Sequence, residues 1–233
     1  RKIPVTMDQE EISILFRRYG MVCAGVVDDY GRLVGMITID DIIDVIDEEA
    51  EEDLMALAGV GEANVRSSLW NTLQGRSSWL LVNLFTAIIA SAVIGLFDET
   101  IEQLVALAIL MPIVASMGGN AGTQTVTVAV RAIALRQLDR DVAMAFVRRE
   151  LVVAALNGVV FAMLSATMAF LWFNSADIAT VMAVAMFANM MIAGLSGTMV
   201  PLGLVRLGVD PAVASSVFIT TITDVVGFFV FLG

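Results

Sequence analysis

The sequence predicts an all-α polytopic membrane protein: five transmembrane helices per chain, preceded by a small α+β fragment and an acidic connecting helix. Three observations predict it. Hydrophobic residues make up 58% of the 233 positions and charged residues only 16%, against roughly 25% charged in soluble domains. Charge is unevenly spread, with 15 acidic and 7 basic residues in 1–78 but only 9 and 6 in 79–233. Long runs almost without charge fill the second part. The domains expected are therefore 1–39 for the α+β fragment, 40–78 for the acidic helix and a linker, and 79–233 for the membrane part. With a net charge of −11, no His and one Cys, Cys23, nucleic acid is an unsuitable partner. Imidazole-based catalysis, His/Cys zinc sites and disulfide frameworks are excluded or nearly so. Any metal must be held by oxygens, which selects hard cations such as Mg²⁺ or Ca²⁺.

In the first segment, Thr6 and Gln9 have capping-box spacing, and Ile12, Leu15 and Phe16 supply an apolar face, so a helix is expected over 7–18. Residues 1–20 are charged and amphipathic, unlike a signal peptide. Two β-branched runs, 21–27 and 32–37, flank the hairpin-type turn Asp28-Asp29-Tyr30-Gly31. Thr38 with Asp41 caps the next helix, giving the order helix, strand, strand, helix. The run Gly35-Met36-Ile37-Thr38-Ile39-Asp40-Asp41 resembles the closing motif of a CBS module. That resemblance implies an adenine nucleotide such as ATP, its ribose held by Thr38 and Asp41. One module half fills the usual tandem, so residue 1 is expected to lie inside a longer protein.

Residues 40–53 contain nine acids and no base: Asp40, Asp41, Asp44, Asp47, Glu48, Glu49, Glu51, Glu52 and Asp53. Ile42, Ile43, Val45, Ile46 and Leu54 keep the stretch helical and amphipathic, but like charges three and four apart repel. A solvated acidic face is the plain reading. Divalent cations bridging these carboxylates to other acidic surfaces would relieve the repulsion and favour a compact state, which makes the helix a candidate cation sensor.

Five runs follow, at 79–97, 104–130, 151–176, 178–205 and 211–233, of 19, 27, 26, 28 and 23 residues, close to or above the roughly 20 that cross a bilayer. Arg66 and Arg76 precede the first. Arg131, Arg136, Arg140, Arg148 and Arg149 lie between the second and third, and Arg206 between the fourth and fifth, while 98–102 and 174–177 hold no Lys or Arg. The positive-inside rule then places the N-terminal segment in the cytoplasm and the C-terminus outside.

Asp224 is the one ionisable residue inside a run, and an acid at that depth costs about 2.5–3.5 kcal/mol on insertion scales. Ser216, Thr220, Thr223, Asp224 and Gly227 share a helical face, read as a stripe toward water or a pathway. In the second run, Pro112 through Gln124 carry Gly118, Gly119, Asn120, Gly122 and Thr123. Gly118 and Gly122 have the spacing of a close-packing pair. A kinked or locally opened helix presenting carbonyls, Asn120 and Thr123 to a polar path is the functional reading. Asn83, Asn157, Asn189 and Gly194–Gly197 read as interhelical hydrogen bonding and small-residue packing.

The acidic helix, five runs, Pro-x-x-Ala-x-x-Gly-Gly-Asn-Ala-Gly-x-Gln in the second and Thr-x-x-Thr-Asp in the fifth resemble the MgtE family of magnesium channels and transporters over essentially the whole chain. The resemblance implies a plasma (inner) membrane homodimer with a pore between subunits, Asp224 binding Mg²⁺ near its centre and Asp210 near its mouth. It further implies that Asp41, Asp44, Glu49, Glu52 and Asp53 bind regulatory Mg²⁺ that closes the pore. Mg²⁺ keeps several waters and binds through one or two carboxylates. Two copies of Asp224 would face the ion, while Thr220, Thr223 and backbone carbonyls accept from its waters. Mg²⁺ transport by a non-enzymatic channel is the expectation, with other divalent cations as related cargo. A proton- or sodium-coupled carrier using Asp224 is the alternative. An intramembrane phosphotransferase would lack a second carboxylate or Lys cluster, and a passive anchor would not need Asp224.

Overall fold

The computed structural model describes residues 2–60, 68–138 and 140–233 and falls into two units, Arg1–Met55 and Ala56–Gly233. Arg66 lies outside the described residues, as does the side chain of Arg140.

The first unit opens with a strand that the sequence reading lacks. β1 (Lys2–Pro4) pairs parallel with β2 (Cys23–Val27), and β2 pairs antiparallel with β3 (Leu33–Thr38), in the order β1-β2-β3. Three residues containing a proline carry no readable alternation, and their partners lie 23 residues away, so pairing rather than propensity makes this strand. Between β1 and β2 runs α1 (Gln9–Tyr19), capped by Asp8, whose carboxylate accepts from the Glu10 N–H at 2.9 Å. Thr6 therefore does not cap this helix, because Asp8 stands at the position from which a carboxylate reaches the first free N–H groups. Gly20 closes the helix in the left-handed conformation, φ 58°, and its N–H returns to the Phe16 carbonyl. At the hairpin, Asp28 Oδ1 accepts from the Tyr30 and Arg32 N–H groups at 3.0 and 2.8 Å, and Gly31 takes φ 75°. Ile3, Ile12, Phe16, Ala24 and Ile42 form the buried core. Ile42 belongs to α2 (Ile39–Leu57), one continuous helix that carries all nine acids.

In the second unit the helices are α3 (Leu69–Gly95), α4 (Asp98–Gln103), α5 (Val105–Ala134), α6 (Arg140–Phe173), α7 (Ala176–Arg206) and α8 (Pro211–Leu232). Four of them, α3, α5, α6 from Val142 onward, and α7, are long and apolar enough to cross a membrane. The charge-free windows underestimate two. α3 begins ten residues before 79, and α6 begins at Arg140 rather than 151. At about 1.5 Å per residue, the 34 residues of α6 reach about 50 Å, against a hydrocarbon core of about 30 Å. Helical hydrogen bonding continues past the core; absence of charge does not. α6 stops at Phe173, Asn174 turns with φ 49°, and Ser175 caps α7.

α7 is the hub: α5, α6 and α8 all pack on it, α5 packs on α8, and α3 lies against α8. Leu110, Val114, Met182, Ala185 and Met186 are buried at its centre, and Val126, Val130, Ala212 and Ile219 form a second cluster. Large side chains on α3, among them Leu80, Leu81, Phe85 and Ile88, are exposed, as apolar residues facing lipid are.

Candidate cation pathway

α5 runs as unbroken α-helix through the Gly-Gly-Asn segment, with Pro112 inside it, so the expected local opening is absent. The segment's small residues serve packing instead. A Cβ on Gly118 would collide with the Asn189 amide of α7, and one on Gly122 with the Ile219 side chain of α8. Asn189 is fully buried and donates Nδ2–H to the Val114 carbonyl across the helix interface at 2.8 Å. That is the interhelical role its sequence position suggests. Its Oδ1 accepts nothing among the described residues.

On the far side of α5, Ser116, Asn120, Thr123 and Thr127 are all exposed. Spacings of four, three and four put them on one face. Asn120 Nδ2–H donates to Ser116 Oγ at 3.4 Å, Thr123 donates to the Gly119 carbonyl at 2.9 Å, and Thr127 to the Thr123 carbonyl at 2.8 Å. Each threonine spends its proton on its own helix and turns oxygen lone pairs outward as acceptors. Ser116 and Thr127 escaped the sequence reading; their place in the heptad-like series with Asn120 and Thr123 was the available signal.

This face borders α8 where Thr220 Cγ2 stands 3.6 Å from the position of a Cβ on Gly119. Thr220 and Asp224, one turn apart, are both half-buried. Thr220 donates to the Ser216 and Val217 carbonyls at 3.1 Å. Among the described residues no Lys or Arg pairs with Asp224. The anticipated stripe on α8 divides. Thr223 is 0% exposed and donates to the Ile219 and Thr220 carbonyls at 3.0 Å, while Gly227 is buried against Asn189. Thr223 thus packs between helices within one chain, since the arc that α8 buries on α5 and α7 is wider than the sequence pattern shows. Asp210 is exposed and is the N-cap of α8, accepting from the Ala212 N–H at 2.8 Å.

On α2, Asp41, Asp44 and Glu52 are exposed, whereas Glu49 and Asp53 are half-buried. Glu49 accepts from Gln9 Nε2 of α1 at 3.3 Å. Among the described residues no three acidic or Cys side chains converge as a metal cage. Thr38 donates both its N–H and its hydroxyl to Asp41 Oδ2, each at 2.8 Å. The backbone bond first, and then the hydroxyl, hold the Asp41 carboxyl below its ordinary value. Thr38 and Asp41, the residues expected to hold a ribose, are thus bonded to one another as a helix cap.

The family model for MgtE, described as a divalent cation transporter, matches residues 111–233, and the CBS domain model matches 2–48. The chain is 34% identical over 227 residues to a magnesium transporter MgtE of Bacillus subtilis and 35% identical over 232 residues to one of Thermus thermophilus. Both matches cover 97% of this chain and 50% of the relative. A third, from Enterococcus faecalis, is 32% identical over 93% of this chain and 48% of its own length. The chain thus spans about half the length of the curated relatives it matches. With a CBS domain at its start, several apolar helices and a family match that takes in both the α5 and α8 segments, this multi-pass membrane protein belongs to the MgtE family of divalent cation transporters.

Proposed function

We propose that the chain carries Mg²⁺ across the plasma (inner) membrane as a homodimeric channel, with α3, α5, α6, α7 and α8 as five spans. The carrying observation is Asp224, an acid on an otherwise uncharged helix, beside the exposed polar face of α5. In a single chain that face meets the membrane's hydrocarbon, where unsatisfied amides and hydroxyls are costly. A second copy related by a twofold axis would close it into an aqueous path. Two Asp224 carboxylates would then balance the double charge of Mg²⁺, and Asn120, Thr123 and Thr220 would accept from its retained waters. Thr223 would hold α8 in place behind them, and Asp210 at the helix start would line the cytoplasmic mouth. The arginines between α5 and α6, Arg131, Arg136, Arg148 and Arg149, support a cytoplasmic N-terminal unit.

Domain boundaries at 1–39, 40–78 and 79–233 accompany this reading, α2 being the sensor. Its carboxylates would bind regulatory Mg²⁺ through one or two groups per ion, completed by water or by a facing acidic surface, since the described residues of one chain hold no cage. Bound ions would favour the closed pore. An adenine nucleotide at Thr38 and Asp41 would have to share the cap those residues make.

Mg²⁺ flux into liposomes tests the reading. Asp224→Ala and Asp224→Asn should abolish uptake while the protein reconstitutes normally. Undiminished uptake by both would overturn it. Current carried down a Mg²⁺ gradient with no proton or sodium gradient favours the channel, and strict dependence on either gradient favours the coupled carrier.

A further inference from the structure

Away from α8, the second unit holds a polar groove that no feature above uses. Gly194 of α7 admits α6, where Ala154 and the Glu150 backbone carbonyl come against it, and Gly197 admits α5 at Thr125. A Cβ on Gly194 would stand 2.6 Å from that of Ala154, and one on Gly197 2.7 Å from Thr125 Cβ, so glycine at both positions is what seats the two neighbours so deeply. Seated on α7 this way, α5 and α6 scarcely touch each other. The gap between them is a groove of about 210 Å³, floored by Met190 and Gly194 and walled by Gln124, Thr125, Glu150 and Asn157.

These walls are unusual for a helix-helix gap in a membrane. The side chains of Gln124, Glu150 and Asn157 have no hydrogen-bond or ion-pair partner among the described residues. Glu150 sits at the border of the charge-free run of α6, and Asn157 lies two turns further along it, about 10 Å deeper. Gln124 and Asn157 lie inside the charge-free runs, where an amide opening onto hydrocarbon would be left unsolvated, at a cost of kilocalories per group, and Glu150 brings a carboxylate to the border of the same groove. A groove with this lining suits water or a hydrated ion. At about 210 Å³ the groove has room for several waters.

We propose that this groove is a second cation site, holding a hydrated divalent cation by outer-sphere contacts. Glu150 supplies the negative charge and accepts from the ion's waters, as do the amide oxygens of Gln124 and Asn157. No water need be lost, which suits a cation that dehydrates reluctantly. The site is separate from Asp224 and does not depend on the pore reading.

Paramagnetic Mn²⁺ is the probe. A nitroxide is attached at Val160→Cys, an exposed position three residues beyond Asn157, in the full chain carrying Cys23→Ser and reconstituted in lipid nanodiscs. Mn²⁺ should enhance the label's relaxation, and Mg²⁺ should compete. Asp224→Asn should leave this effect in place, separating it from the pore. Glu150→Gln should weaken the apparent Mn²⁺ affinity about tenfold or more, and Asn157→Leu should weaken it as well. An unchanged affinity in Glu150→Gln, an effect that Mg²⁺ does not compete, or no effect at all in folded protein would each overturn the proposal. Should Glu150→Gln fail to reconstitute, Asn157→Leu, at an exposed position, decides alone.

Discussion

Asn189 shows how much one side chain in a membrane bundle can be asked to do. Its amide donates to the Val114 carbonyl of α5, fills the space left by Gly118, and lies against Gly227 of α8, where a Cβ would stand 2.8 Å from Nδ2. An interhelical role was readable from an Asn in an apolar run. The choice of partner, and the two glycines that make room, came only with the packing. Interhelical hydrogen bonds in bilayers contribute about 0.6 kcal/mol on average and up to about 1.7, and removing this amide also removes the unpaired Oδ1. Asn189→Ala should therefore destabilise by roughly 1 kcal/mol. Gly118→Ala should cost more, since its methyl group must displace the amide in a close-packed interior. The double variant should recover part of that loss. A thermal-unfolding double-mutant cycle in detergent measures this coupling, and simple additivity would show that Gly118 and Asn189 do not compete for one space.

At the scale of elements, α2 was the most legible. Its length, its cap and its nine acids were all present in the sequence, and the structure adds that among the described residues no three of its carboxylates converge as a metal cage. The cap has a pH consequence. Because Thr38 holds the folded Asp41 carboxyl below its ordinary value, the stabilisation is complete above the unfolded value of about 3.9. It is lost as pH falls through that value toward the folded one. Thr38→Val removes the hydroxyl bond and keeps the N–H, so the Asp41 carboxyl should titrate closer to its ordinary value. Carbon-detected NMR titration of that carboxyl checks this, and an unmoved titration would assign the depression to the backbone alone. β1 was illegible for the opposite reason: three residues hold too little pattern, and a parallel partner is never a local signal.

Across the whole molecule, the exposed face of Ser116, Asn120, Thr123 and Thr127 is the feature on which the proposed pairing of two copies rests. If two copies close a path along it, cysteines at Asn120 or Thr123, introduced with Cys23→Ser, should cross-link between copies under mild oxidation. The same substitution at Leu171, an exposed position on α6, should not. Non-reducing electrophoresis of membranes reads the outcome, and cross-linking that is equal at all three positions would count against a pore formed by α5.

The sequence by itself determined that the chain is a membrane protein and that its apolar runs carry one acid, Asp224, and it named the residues that match the MgtE family. Apolar length and charge placement are one-dimensional properties, set residue by residue against a bilayer of known thickness. Only the tertiary structure decided which members of the polar stripes are usable. Thr223 and Thr220 are three residues apart on one helix, yet the first is fully buried and the second is partly open. Helical periodicity defines a direction around the axis, but the width of the arc a neighbour covers depends on how closely the backbones approach. In this bundle that approach is set by glycines on α5 and α7, whose effect exists only once the helices meet.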